Sequence, residues 1–171
     1  MISTYSFEKE LLPHSDRLFR MALRITLDKE AAEDLVRETL LKVWQHHDTL
    51  SEIDNLESYL ITICRRLALD YMARKERDNV SLDQVDIDAA DASVSPLEKL
   101  SRDDRIAWVR QLIDTLPEKQ RSIVQLRDIE DKSVKETAEI LGITQEDVKT
   151  SHHRARKTLR AKLQEIDQYG L

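Results

Sequence analysis

Apolar residues return at three- and four-residue steps through most of the chain, the spacing of helices that bury one face. Residues 7–27 put Leu11, Leu18, Met21, Ala22 and Ile25 on one side. Asp28 stands where a helix N-cap belongs, before a second run to about residue 46 with Ala32, Leu35, Val36, Leu40, Val43 and Trp44 inward. Residues 47–55 are polar and read as a connection. A third helix over 56–77 turns Tyr59, Leu60, Ile63, Leu67, Tyr71 and Met72 inward. No stretch alternates in the manner of a half-buried strand, so the expected fold class is all-α.

The pattern then breaks. Residues 79–95 replace long apolar side chains with small and acidic ones, and the segment reads as a flexible acidic linker. Order resumes at Ser95-Pro96-Leu97-Glu98, with Ser at the cap, Pro at the first helical position and Glu three residues after the cap. This opens a helix over 96–115, and Pro117 opens another to about residue 129. Two small helical domains follow from this division, over residues 1–78 and 96–171.

The segment 133–163 carries the most specific signal. Ser133-Val134-Lys135-Glu136 is a capping box for a short helix that ends at Leu141, and Gly142 suits the left-handed position after it. Thr144-Gln145-Glu146-Asp147 then starts a long helix to about residue 166. A short helix, a tight Gly-containing turn and a longer basic helix make a helix-turn-helix pattern. Val134, Ala138, Leu141, Ile143, Val148, Ala155, Leu159 and Leu163 form its inner seam. At 100° per residue, Gln145, Lys149, Thr150, His153, Arg154 and Lys157 then point outward or flank that seam. Such side chains suit a DNA major groove, where Lys and Arg pair with guanine and Gln with adenine. Arg156, Lys157 and Arg160 lie later and suit phosphates. His152 leans toward the seam and reads as a partly buried histidine.

Charge sharpens this reading. The net charge of −6 taken whole argues against a DNA partner, but it is unevenly spread. Residues 1–78 hold 12 basic and 15 acidic groups, residues 79–104 hold 2 and 7, and residues 105–171 hold 13 and 11. Residues 149–162 contain six cations and no acid. A phosphate responds to potential within about 10 Å, so the local patch outweighs the total. The single cysteine, Cys64, excludes an internal disulfide. The first residues lack a basic-then-apolar signal pattern, and no apolar run nears the ~20 residues that span a bilayer. The chain is expected in the cytoplasm, without membrane insertion. No Cys/His cluster, Gly-rich phosphate loop or paired His/Glu motif occurs, so neither a metal, a cofactor nor catalysis is expected.

Taken together, residues 116–163 resemble the C-terminal domain of the extracytoplasmic-function (ECF) sigma factors. Phe19–Trp44 (FRMALRITLDKEAAEDLVRETLLKVW) and Glu57–Arg77 (ESYLITICRRLALDYMARKER) resemble their N-terminal domain. Both stretches occur in the family's order and cover nearly the whole chain. The resemblance implies a transcription initiation factor that binds core RNA polymerase and promoter DNA. It implies that Gln145, Lys149, Thr150, His153 and Arg154 approach the −35 element, with Arg156 and Lys157 on phosphates. It implies that the third helix and the connection before it read the −10 element through Asn55, Ser58, Arg65, Arg66, Arg74, Lys75 and Arg77. The second helix would contact the coiled coil of the polymerase β′ subunit through Asp34, Arg37, Glu38, Leu41, Lys42 and Gln45. The C-terminal domain would touch the β flap, and an anti-sigma factor is an implied partner.

The sequence departs from the family pattern at three places. Arg37 replaces a usual Gln, Arg66 a frequent Asn, and His152 a usual aliphatic. A cationic fork cannot reproduce the paired donor and acceptor of Asn, so base reading at Arg66 does not carry over directly. Asp70 is expected to pair with Arg66 or Arg74. A stand-alone helix-turn-helix regulator is the alternative function; it would bind duplex DNA without polymerase, commonly as a symmetric dimer.

Overall fold

The computed structural model describes residues 7–81 and 102–168, and these contain helices and no strand. The linker expected over 79–95 lies outside the described residues beyond position 81. So does the capping motif at 95–98.

The first predicted helix is divided. A π-helical turn over Phe7–Leu11 and a 3-10 turn over Leu12–His14 precede α1, Ser15–Thr26. Pro13 sits in the 3-10 turn and has no N–H to continue a regular helix through it. Leu27 closes α1 in the left-handed conformation, φ 56°, with its N–H bonded to the Leu23 carbonyl. Asp28 caps α2 (Lys29–Gln45), its carboxylate accepting from the Ala31 N–H at 3.2 Å. A 3-10 turn over His47–Glu52 leads to α3, Leu56–Ser81, four residues longer than the pattern predicts.

These three helices pack on one another around Leu18, Met21, Ile25, Val43, Leu60, Ile61 and Cys64. In α3 the buried set is Leu60, Ile61, Cys64, Leu67 and Ala68, a narrow stripe that leaves Tyr59 37% exposed. The expected inward position of Tyr59 is therefore corrected. Burial pushes the Cys64 thiol up to about 11, against an opposing hydrogen bond with Thr39.

The second unit comprises α4 (Arg102–Asp114), α5 (Glu118–Val124), α6 (Val134–Leu141) and α7 (Gln145–Gln168). A π-helical turn, Gln125–Ile129, continues α5 before the chain reverses at Asp131, φ 59°. Ser133 caps α6 by accepting from the Glu136 N–H at 3.0 Å, and Gly142 takes φ 67° at its end. Thr144 Oγ1 accepts from the Asp147 N–H at the start of α7. Leu163, expected in the seam, is 37% exposed near the helix end.

The units are in contact. α1 packs on α5, and α3 packs on α6. A single apolar core runs from Leu18 and Met21 through to Ile123, Leu126, Ala138, Leu141 and Val148. A second, smaller cluster joins Ile113, Leu116, Val124 and Ala155 inside the C-terminal unit.

Candidate nucleic-acid interface

Val148 and Ala155 are wholly buried and fix the rotation of α7. That rotation leaves Gln145, Lys149, Thr150, His153, Arg154 and Lys157 exposed, as the spacing predicts. Lys149 approaches Glu146 at 3.7 Å, a loose surface pair of little energy that leaves the ammonium free to move. The start of α7 is anchored by Lys119, whose Nζ lies 2.6 Å from Asp147 Oδ2, and by Ser151 Oγ donating to Asp147.

Arg156 differs from its neighbours. Its guanidinium and His152 Nε2 both engage Asp128, the His152 contact being 2.8 Å. Burial raises the Asp128 pKa, but the Arg156 and His152 hydrogen bonds outweigh it and hold the carboxyl below its ordinary value. Arg156 is thus drawn to the flank of the exposed stripe. His152 is half-buried, as its place near the seam predicts. Asp128 had no signal in the sequence, because it lies 24 and 28 residues from its partners.

Beside that flank runs an apolar groove of about 670 Å3 between α4, the end of α5 and α7. Ile106, Val109, Ile113, Val124, Leu159 and Leu163 line it, with Arg105, Arg110 and Arg160 also on its wall.

On α3 the expected residues separate into two groups. Arg66, Arg74, Lys75 and Arg77 are exposed. Asn55 is exposed too, and its side chain caps α3 by accepting from the Ser58 N–H at 3.0 Å. Ser58 and Arg65, seven residues apart on one helical face, are not free. Ser58 Oγ is buried without a hydrogen-bond partner, and Arg65 is only 14% exposed, 3.3 Å from Glu118 of the other unit. Asp70 forms no ion pair with Arg66 or Arg74, which corrects that expectation.

All six positions singled out on α2 are exposed. Asp34 and Arg37 pair at 2.9 Å, while Leu41 leaves 58% of its surface in water amid polar neighbours. Among the described residues no group of three or more His, Cys, Asp or Glu is placed to hold a metal ion, and no helix is long and apolar enough to cross a membrane.

A helix-turn-helix with a cationic outer stripe, joined in one chain to a three-helix unit with its own basic helix, defines a DNA-binding transcription protein. Comparison with known proteins narrows this class. Residues 12–78 match Sigma-70 region 2, and residues 106–159 match Sigma-70, region 4. The chain is 32% identical over 158 residues to the ECF RNA polymerase sigma factor SigL of Mycobacterium tuberculosis, covering 90% of this chain and 86% of that one. It is 31% identical over 156 residues to the ECF RNA polymerase sigma factor SigE of Mycolicibacterium smegmatis, covering 91% of this chain and 60% of the relative's length. Its fold matches the sigma factor RpoE of Bartonella quintana, solved in complex with the anti-sigma factor NepR, with TM-score 0.77 and 28% identity over 92% of this chain and 96% of that one. The chain belongs to the ECF sigma factors of the sigma-70 family.

Proposed function

We propose that this protein binds core RNA polymerase and directs promoter-specific initiation. The observation that carries this is the exposed, acid-free stretch of α7 on a capped helix-turn-helix, in the same chain as a polar helix that leaves Leu41 in water. In this reading Gln145, Lys149, Thr150, His153 and Arg154 face the −35 element. Lys157 holds the phosphate backbone, and Arg156 joins it on release from Asp128. The exposed Asn55, Arg66, Arg74, Lys75 and Arg77 of the N-terminal unit face the −10 element. Ser58 and Arg65 join them only when α6 and Glu118 withdraw.

Asp34, Arg37, Glu38, Leu41, Lys42 and Gln45 form the face offered to the β′ coiled coil, with Leu41 as its apolar centre. The groove between α4 and α7 suits an apolar element of the β flap. The domains extend over residues 1–78 and 96–171, joined by the acidic segment 79–95. The protein works in the cytoplasm with the polymerase, carries out no catalytic step of its own, and is held in check by an anti-sigma factor, as the RpoE neighbour is seen bound to one.

In-vitro transcription with purified core polymerase and a promoter library tests the reading. Initiation at a defined set of promoters, dependent on both core and this chain, is the expected result. Stable duplex binding without core, and no stimulation of transcription, would instead identify a stand-alone regulator.

A further inference from the structure

Asp128 sits on the flank of the DNA-facing helix with both of its oxygens engaged. Oδ2 lies 2.8 Å from His152 Nε2, and Oδ1 accepts from Arg156. His152 and Arg156 are one turn apart on α7, so a single carboxylate spans both. The turn that carries Asp128 is anchored on each side. It is the π-helical turn Gln125–Ile129, closed by the Glu130 N–H donating to the Gln125 carbonyl at 2.9 Å. Gln125 and Leu126 are buried, and Arg127 donates to the Lys132 carbonyl beyond the turn. The carboxylate is therefore presented to α7 from a fixed backbone.

The two partners differ in freedom. The His152 side chain is 15% exposed, whereas Arg156 leaves 57% of its side chain in water. An ionised carboxylate only accepts, so His152 Nε2 carries the hydrogen and donates it. His152 thus tethers the carboxylate, which an aliphatic side chain at this position could not do. Arg156 has a long stem and room to swing. His153 and Arg160 are its neighbours one turn away on α7, and Lys149, Arg154 and Lys157 are exposed on the same helix.

A guanidinium meets a carboxylate and a phosphate by the same means, N–H groups aimed at anionic oxygens. Asp128 occupies Arg156 as a DNA phosphate would. We propose that Asp128 is a positioning residue that stands in for a phosphate, neutralising Arg156 in the free chain and lowering its affinity for duplex DNA of any sequence. The inference rests on the DNA-facing role given to α7 above. Each phosphate that a protein neutralises releases counterions, and log K falls with log salt by about 0.9 per contact. The contact that Arg156 makes in the wild type is offset by the pair that it must break. That loss falls on backbone contacts, which hold every sequence alike, and leaves the base-facing side chains untouched. Base contacts then carry a larger share of the binding that remains.

Duplex binding by the full chain, followed by fluorescence anisotropy across a salt series, tests this. Asp128→Asn should bind roughly tenfold more tightly than wild type at about 0.05 M salt, and the curves should converge toward about 1 M, a slope steeper by ~0.9. In an Arg156→Ala background the same substitution should change affinity by less than about twofold, because the guanidinium it frees is gone. An equal gain in both backgrounds means that the carboxylate acts by general repulsion of DNA, and it overturns the inference. An unchanged slope, or no binding by any of these chains at low salt, overturns it too. Loss of helical circular dichroism in both Asp128→Asn and Asp128→Ala shows a carboxylate that only holds the fold, with the same consequence. Absence of core-dependent transcription beside the expected salt series would sink the proposed function and leave the phosphate stand-in intact. Specific initiation beside equal gains in the two backgrounds would do the reverse.

Discussion

Replacing Val148 by Asp tests the placement of α7 most directly. Val148 has no exposed surface and belongs to the core shared with Leu126, Ala138 and Leu141. Its removal forfeits about 1.5–3 kcal/mol of apolar burial. Its packing partners in that cluster are apolar, so a carboxyl in its place is buried among hydrocarbon side chains at a further cost of several kcal/mol. The sum approaches the whole stability of about 5–15 kcal/mol expected of such a chain. Burial raises the folded-state pKa of the new Asp, so the penalty grows as pH climbs above its unfolded value near ~4 and is smallest below it. Thermal melting followed by circular dichroism at neutral and mildly acidic pH reads both effects. Val148→Ala, which adds no charge, should cost about 2 kcal/mol and lower the midpoint by roughly 4–8 °C at either pH. Should the Asp variant melt within a few degrees of wild type at neutral pH, the inward assignment of Val148 is wrong, and with it the outward stripe.

Three further outcomes follow from particular side chains. Arg154→Ala removes an exposed guanidinium, so it should leave the melting curve within about 0.5 kcal/mol of wild type and reduce −35 discrimination by about 1–3 kcal/mol in a competition binding assay. Burial raises the Glu57 pKa, but the hydrogen bond and charge of Lys132, with Arg17, outweigh it, so the net shift is downward. Its stabilisation is therefore complete above the ordinary carboxylate range and is lost as pH falls through the lowered value. Acid titration of Glu57→Gln should show a shallower loss of stability in that window than wild type, and parallel curves would refute the assignment. Gly142→Ala adds a Cβ that meets nothing within 4 Å, so only the φ of 67° opposes it. A loss of about 1 kcal/mol is expected in denaturant melts, and none would mean that the turn relaxes.

The local architecture was legible because its causes are local. Asp28, Ser133 and Thr144 cap the helices that follow them through bonds spanning three residues, so side-chain type and spacing suffice. Gly142 in the left-handed region follows from the same logic. Leu27 and Asp131 adopt that conformation too, and neither residue type announces it. Pro13 is visible in the sequence, but the apolar spacing runs straight through it, and only the structure shows that it marks a break in the helix. The outward face of α7 followed from the inward one, since periodicity relates them. The α3 face did not separate in this way. Arg65 and Arg66 are adjacent cations in sequence, and only the approach of Glu118, 53 residues away, distinguishes the covered one from the free one.

The order of polar and apolar positions by itself determined seven helices, the caps that Asp28, Ser133 and Thr144 form, the buried stripe of most helices and the basic outer face of the last. Each depends on residues within a turn or two of one another. Tertiary structure alone decided that Arg20 meets Glu130 across 110 residues, that Arg24 meets Asp114 across 90, and that Asp128 draws Arg156 aside. Charge pairing across such distances depends on how whole helices dock. Many surface acids and bases were equally eligible until shared apolar contact between the two units brought these few together.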